Sequence, residues 1–334
     1  MPQDDSALTT PANKLSDVPD LPKRRGLSVP ETAALVVVLV AMIVFFSFQS
    51  EFFLTGQNII NILVSASVIG IIAAPATLIL ISGNFDLSVG SGVALIGVVM
   101  AWGTANYGIE TGMALALLAG LLIGLVNGFS VTVIGINALI TTLAMLAILR
   151  GLALVLADGQ TLLLSDFGWL GNARPILNIP LPVFIFIAWV LVVGFITRFT
   201  VYGRSMYAIG ANPVAARLAG IKTKRAVFIA FIMSGVAVVF GGLIQVSQLG
   251  AASPQAGLGL ELAVVTAVIL GGASLAGGRG TITGTVLGVF ILGILNNGMT
   301  LMNIDSFWQR VAQGVLLLVA VGFDQLRQKL TAQS

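Results

Sequence analysis

The sequence predicts an all-α, polytopic membrane protein of about ten transmembrane helices with both termini on the cytoplasmic side. Three observations carry this reading. The 334 residues are 57% hydrophobic and only 9% charged, more apolar surface than a soluble domain of that length can hide. Apolar runs recur at roughly the 20 residues that a bilayer crossing requires. Lys and Arg are gathered into alternate loops, which is the pattern that sets membrane orientation.

Residues 1–29 are rich in Asp, Ser, Pro and Thr and carry few large apolar side chains. They are expected to form a disordered cytoplasmic tail. Lys23-Arg24-Arg25 stands before the first apolar run, as in a signal peptide. That run continues into Phe45-Phe46-Ser47-Phe48-Gln49 without a small-residue cleavage site, so the expectation is a retained span. The transmembrane domain then occupies 30–326, with spans expected at 31–48, 58–82, 89–107, 112–135, 138–157, 180–198, 225–248, 261–276, 283–303 and 308–324. Gly-rich polar stretches adjoin 89–107 and 261–276, the least regular of these runs. Residues 327–334 form a C-terminal tail in this scheme.

With the N-terminus inside, the loops at 83–88, 136–137, 199–224 and 277–282 and the C-terminus are also inside. Thirteen of the sixteen Lys and Arg then lie on that side, the exceptions being Arg150, Arg174 and Arg310. The external segment 158–179 contains Gly, Pro and Asn and reads as loop with at most a short helix. The chain has no Cys and no His. That removes disulfides, thiolate metal sites and the commonest proton shuttle and metal ligand. No nucleophile–base pair, metal cluster or nucleotide loop is readable. The chain is expected to be no enzyme, to carry no cofactor or metal and to bind no nucleic acid.

The stretch 199–225 is the most informative. It is basic, with Arg204, Arg217, Lys222, Lys224 and Arg225, and has no acid. Within it, Asn212-Pro213 followed by small residues and Gly220 describes a short helix capped at both ends. Its outward residues are expected to be alanines, which let another protein pack closely. The coupling candidates are Gly210, Asn212, Ala215, Ala216, Arg217, Ala219 and Gly220. Each charge by itself is better explained by orientation.

Gly120, Gly124 and Gly128 recur every four residues, as do Gly284 and Gly288. Such spacing lets helix backbones approach closely in a bilayer, and Asn127, Asn296 and Asn297 near these faces can hydrogen-bond between helices. Two Gly-rich segments, 81–91 and 271–281, flank expected inner ends. Each reads as a broken helix that lines a cavity, where freed backbone amides find other partners. The candidates there are Asp86, Ser88 and Gly90 in the first, and Gly271, Gly272, Ser274, Gly277 and Gly278 in the second. Neither is a Walker loop, because no Gly-Lys-Ser or Gly-Lys-Thr follows the glycines. Asp86 is expected to cap a broken helix through its carboxylate. Arg150 interrupts the fifth span, at a cost of roughly 3 kcal/mol on insertion scales. It either has a partner or a water-filled path, or snorkels from the outer third; Arg310 snorkels outward. Gln245, Gln248, Asn296, Asn297, Gln309 and Trp308 are candidate polar and aromatic contacts for a passing solute, and helix packing explains most of them equally well.

Together these segments resemble the inner-membrane permease subunits of bacterial ATP-binding-cassette importers, in the branch for ribose, xylose, galactose and autoinducer-2. The family's Gly-Gly-Ile-Asp-Leu-Ser-Val-Gly is similar to Gly83 to Gly90, with Asn84 and Phe85 differing. Its Gly-Gly-x-Ser-Leu-x-Gly-Gly-x-Gly matches Gly271 to Gly280, followed by Gly284-Thr285 and Asn296-Asn297-Gly298. Its coupling motif, Glu-Ala-Ala with Gly four residues on, resembles Val214-Ala215-Ala216 and Gly220, with Val in the Glu position. The resemblance covers about residues 31–325. It implies a multi-pass protein of the bacterial inner membrane that forms the path for a monosaccharide or small polyol. It also implies a cytoplasmic ATPase, a periplasmic or extracellular sugar-binding protein and a second permease copy, identical or not. The competing reading is an ion-coupled secondary sugar transporter, a class that usually places acids or His at mid-membrane. In this chain the acids are expected near span ends.

Overall fold

A computed structural model describes the backbone of residues 31–332 and the side chains from Ala33 to Leu326. The tail expected at 1–29 lies outside the described residues. The helices are α1 Glu31–Gln49, α2 Gly56–Ile81, α3 Val89–Tyr107, α4 Ile109–Phe129, α5 Ala138–Leu156, α6 Trp169–Asn172, α7 Leu181–Phe199, α8 Val201–Ala211, α9 Pro213–Leu218, α10 Thr223–Leu249, α11 Leu260–Leu270, α12 Ile282–Leu301 and α13 Ser306–Ala332. A π-helical turn, Ser130–Ile134, extends α4.

The ten expected runs correspond to α1–α5, α7 and α10–α13. Eight helices among the described residues are long and apolar enough to cross a membrane, while Ala33–Gln49 and Leu260–Leu270 are shorter. The chain is a polytopic helical membrane protein. The run expected at 261–276 is broken because Gly271 and Gly272 end α11. Helix α13 crosses the boundary expected at 326, since Gln325 to Ala332 contains no breaker.

Helices α2 and α10 are the centre of the bundle. Each buries 67% of its most apolar window, against 22% for α5 and 6% for α13. Helix α10 packs on α2, α3 and α4, and α2 also packs on α7, α11 and α12. The glycine stripe of α4 brings it close against α10. A Cβ on Gly120 would collide with the Val239 side chain and the Gly235 carbonyl, and one on Gly124 with the Phe231 carbonyl. Gly284 and Gly288 bring α12 against the carbonyls of Gly271 and Ala267 in the same way.

Polar side chains stitch these contacts. Asn58 and Asn297 exchange amide hydrogen bonds of 2.9 and 2.7 Å between α2 and α12. Thr77 and Thr285 share one of 2.7 Å. Within α2, Pro75 has no N–H to give the carbonyl four residues back. That carbonyl, Ile71 O, instead accepts the indole N–H of Trp189 on α7 at 2.9 Å.

The segment 158–179 holds a two-residue strand, β1 Leu162–Leu163, a 3₁₀ turn at Ser165–Phe167 and α6. Strand β1 pairs antiparallel with β2, Ala251–Ala252. The Ser247 hydroxyl near the end of α10 accepts the Gly171 amide at 2.7 Å and donates to the Phe167 carbonyl. The segment is thereby clamped onto α10 as a fixed cover. The sequence does not mark this pairing, because two residues each, some ninety positions apart, leave no periodic signal.

The Trp189 bond yields a test. Trp189→Phe leaves the Ile71 carbonyl unpaired in an apolar interior and is expected to cost about 1–3 kcal/mol of stability in detergent. In a Pro75→Ala background the new amide takes that carbonyl, and the cost of Trp189→Phe shrinks. Equal losses in both backgrounds, measured by thermal unfolding, would refute the compensation.

Candidate functional site

The basic end of the bundle is built by α8 and α9. Asn212 caps α9 by accepting the amides of Val214 and Ala215, each at 3.0 Å. At the other end Gly220 adopts φ +84°. The Gly220 amide bonds the Arg217 carbonyl, and the Ile221 amide bonds Ala216, each at 3.0 Å. This is the Schellman arrangement, for which a left-handed residue, usually glycine, is needed. Six residues could not hold a helix alone; two caps and one buried side chain do so here. That side chain is Ala216, which packs inward against the Met206 and Ile209 cluster. The expectation of an outward alanine face is corrected at this point. Ala215 and Ala219 face solvent, Ala216 does not, and the exposed apolar residues are Val214 and Leu218, the latter 84% exposed. Arg217 is exposed beside them.

Gly210 on α8 points the other way. A Cβ there would strike the Ile81 carbonyl and the Gly278 amide. Gly277 and Gly278 turn at φ +85° and +74°, and a Cβ on Gly277 would come within 3.0 Å of the Gly83 amide and 3.1 Å of Gly210 Cα. The Gly278 amide donates to Ile81 O at 2.7 Å, and the Tyr207 hydroxyl of α8 donates to Gly280 O at 2.7 Å. Three segments distant in sequence thus meet backbone to backbone: the exit of α2, the end of α8 and the turn between α11 and α12. Burial raises the pKa of both Tyr202 and Tyr207, so both phenols stay protonated donors, Tyr202 to Ala226 O. On the far side of the 271–281 turn, the Asp324 carboxylate of α13 accepts from Ser274 Oγ at 3.2 Å and the Leu275 amide at 3.3 Å.

A second cluster lies about halfway through the bundle. Helix α11 has 11 residues and rises about 16 Å from the turn that touches Ile81. Glu261 in its first turn is therefore well inside the span. The 82–88 link climbs back from Ile81 to start α3 at a similar level. There Asp86 accepts the Ser88 amide at 3.1 Å, the Ser88 hydroxyl at 2.6 Å and the Ser234 hydroxyl of α10 at 2.6 Å. Asn127 of α4 donates to Ser88 Oγ at 2.9 Å. The first turn of α3 meets the 250–259 link, where a Cβ on Gly90 would collide with the Gly257 carbonyl and the Glu261 carboxylate. Arg150 on α5 closes this layer. Its Nη1 donates to Pro254 O at 2.6 Å and Ala256 O at 2.8 Å, and Glu261 is near enough to act on it electrostatically. The guanidinium thus supplies donors to carbonyls that the interrupted chain leaves free.

The structure therefore groups Gly210 with Gly277 and Gly278, and Asp86, Ser88 and Gly90 with Arg150. Gly271 and Gly272 serve the α11–α12 contact. Asn296 and Asn297 are not joined to either group. They lie toward the opposite end of α12, bonded to Gln313 and Asn58. The expectation that acids sit near span ends is also corrected, since Asp86 and Glu261 lie inside the bundle. Glu261, Ser234 and Asp324 carried no motif that sequence reasoning could use. The re-entrant path of 250–259 was hidden because nothing periodic marks it.

Comparison with known proteins places the chain in context. The family described as "Branched-chain amino acid transport system / permease component" matches residues 58–321. The chain is 38% identical over 330 residues to the L-arabinose ABC transporter permease protein AraH of Azospirillum brasilense, covering 98% of this chain and 94% of that one. It is 39% identical to the ribose import permease protein RbsC of Escherichia coli K12, covering 88% and 93%. It is 34% identical to the D-allose transport system permease protein AlsC of the same organism, covering 88% and 91%. No solved structure matches the chain.

Two substitutions test the clusters. Gly210→Ala forces apart three backbones that cannot yield, so transport is expected to fall at least tenfold while the protein still inserts; normal transport would show the contact to be dispensable. Arg150→Leu strips donors from two carbonyls, with loss of roughly 2 kcal/mol of stability and of most transport. Arg150→Lys is expected to be intermediate, because both bonds come from one nitrogen, which an ammonium can imitate, but the lysine side chain is shorter and reaches the two carbonyls less well. Wild-type uptake by Arg150→Leu would overturn this role.

Proposed function

The chain belongs to the family of branched-chain amino acid transport system permease components, and from that membership we propose that it forms the membrane path of an ATP-binding-cassette importer for a monosaccharide. The sugar permeases matched along most of its length carry the substrate class. The chain itself performs no hydrolysis. Membership implies a separate ATPase and a binding protein that delivers the cargo. Two permease copies would enclose the path, and the basic end, with α8 and α9, would face the cytoplasm of a bacterial inner-membrane system. The gathering of Lys and Arg at that end supports the orientation.

The observation that carries the coupling reading is a capped, exposed short helix joined to both Gly-rich turns. Val214, Ala215 and Leu218 offer an apolar ridge for the cleft of an ATPase, with Arg217 available to an acidic partner. When ATP closes the ATPase and displaces α9, α8 would carry the movement through Gly210 and Tyr207 to the end of α2 and the start of α12. The mid-depth layer would respond through α11, whose two ends touch the two clusters. Asp86, Ser88 and Gly90 would hold the entrance of α3 in shape, and Arg150 would fix the 253–256 carbonyls beside the path.

Two measurements test this reading. In vesicles holding permease, ATPase and binding protein, uptake of ribose or arabinose is expected to require ATP and to survive a protonophore. Uptake by the permease alone, abolished by the protonophore, would instead support an ion-coupled carrier, for which half-buried Glu261 is the group to examine. Separately, Leu218→Cys in this Cys-free chain is expected to react with an impermeant maleimide only in opened cells. Leu218→Asp should lose the ATPase on purification while folding normally. Labelling in intact cells would reverse the orientation.

A further inference from the structure

A groove of about 1170 Å³ opens between α7, α8 and α12. Its wall along α7 is apolar, and Leu191 and Phe195 are 66% and 61% exposed. Its floor at the basic end is different in kind. Arg198 ends α7, Arg204 projects from α8, and Thr283 stands in the first turn of α12. No acidic side chain lines the groove among the described residues. The Arg198 guanidinium rests over the Phe199 ring, 5.6 Å from its centroid, at the boundary between the two parts. The positive end of the α12 dipole adds to the same field.

We propose that this groove is a binding site for an anionic phospholipid of the cytoplasmic leaflet, with the phosphate between Arg198 and Arg204 and an acyl chain along α7. The charge pattern selects the occupant. Two cations with no acid select an anion, and the dry wall beyond them selects one that carries a hydrocarbon chain. Free phosphate would leave that wall in contact with water. Guanidinium groups suit phosphate oxygens, and a basic pocket between helices at this level is where such headgroups are held. The groove also lies against Tyr207 and Thr281, so a bound lipid would stiffen the junction of α8 with the turn before α12. This inference rests on the cytoplasmic placement of the basic end but not on the identity of the cargo.

The test uses the purified full chain in detergent, titrated with dioleoyl phosphatidylglycerol or dioleoyl phosphatidylcholine and read by native mass spectrometry. Wild type and R310Q, altered at the opposite end, are expected to retain phosphatidylglycerol over phosphatidylcholine. R198Q/R204Q should bind it about 30-fold more weakly, at about 1 kcal/mol per cation. T283E, which keeps both arginines but repels the phosphate, should weaken it in the same direction. Equal retention of the two lipids would overturn the proposal, as would wild-type affinity in either R198Q/R204Q or T283E. Displacement of the lipid by equimolar glycerol phosphate would reduce the site to a simple anion site and overturn it as well. Because T283E leaves the arginines intact, a folding defect in the double variant still leaves a decisive measurement.

Discussion

Every backbone group withdrawn from helical hydrogen bonding must find another partner inside an apolar bundle, where no water can take its place. Much of the architecture follows from that constraint. Pro75 frees a carbonyl, and Trp189 answers it from a neighbouring helix. The 250–259 link leaves Pro254 and Ala256 without helical partners, and Arg150 supplies them. The start of α3 is met by Asp86, and the turn after α11 by Asp324 and Ile81. In each case a polar side chain or a second backbone stands where a soluble protein would use water. The interruptions are therefore joined to neighbouring helices, and none can move without disturbing another element.

Glycine supplies the complementary part of the design. The α4–α10 and α11–α12 pairs approach until a single methyl group would collide with opposing backbone or side chains. Contacts this close are stiff, because no flexible side chain intervenes to absorb a displacement. The meeting of Gly83, Gly210 and Gly277 is stiff for the same reason. Under the proposed coupling role of α9, rigid joints would pass its movement into the bundle. The meeting of Gly83, Gly210 and Gly277 lies at helix ends and turns, whereas the α4–α10 contact lies along the middle of both helices.

The charges within the bundle illustrate how burial and partners divide the work. Asp86 is buried, yet two hydroxyls and one amide satisfy it without a cation. Arg150 has backbone carbonyls as its hydrogen-bond partners, with Glu261 contributing through space. Using dipoles rather than a tight ion pair keeps the layer polar without demanding a second fully desolvated charge.

The sequence by itself determined the class, the ten apolar helices and the form of α9. These are local properties: hydropathy over a span, charge between spans, and the cap preferences of Asn212 and Gly220 act within a few residues. It also marked Arg150 as costly and the two Gly-rich segments as interruptions. Only the tertiary structure decided what Ala216 and Gly210 face, since helices of six and eleven residues carry too little periodicity to reveal a face. Only it brought Gly83, Gly210 and Gly277 to one point, or made Glu261 an interior residue by shortening α11. Asn296 and Asn297, which sequence grouped with the path, were drawn instead to Gln313 and Asn58. The reason is common to all of these: a hydrogen bond or close contact between distant segments depends on how helices cross, and crossing is set by packing across the whole bundle rather than by any single stretch of chain.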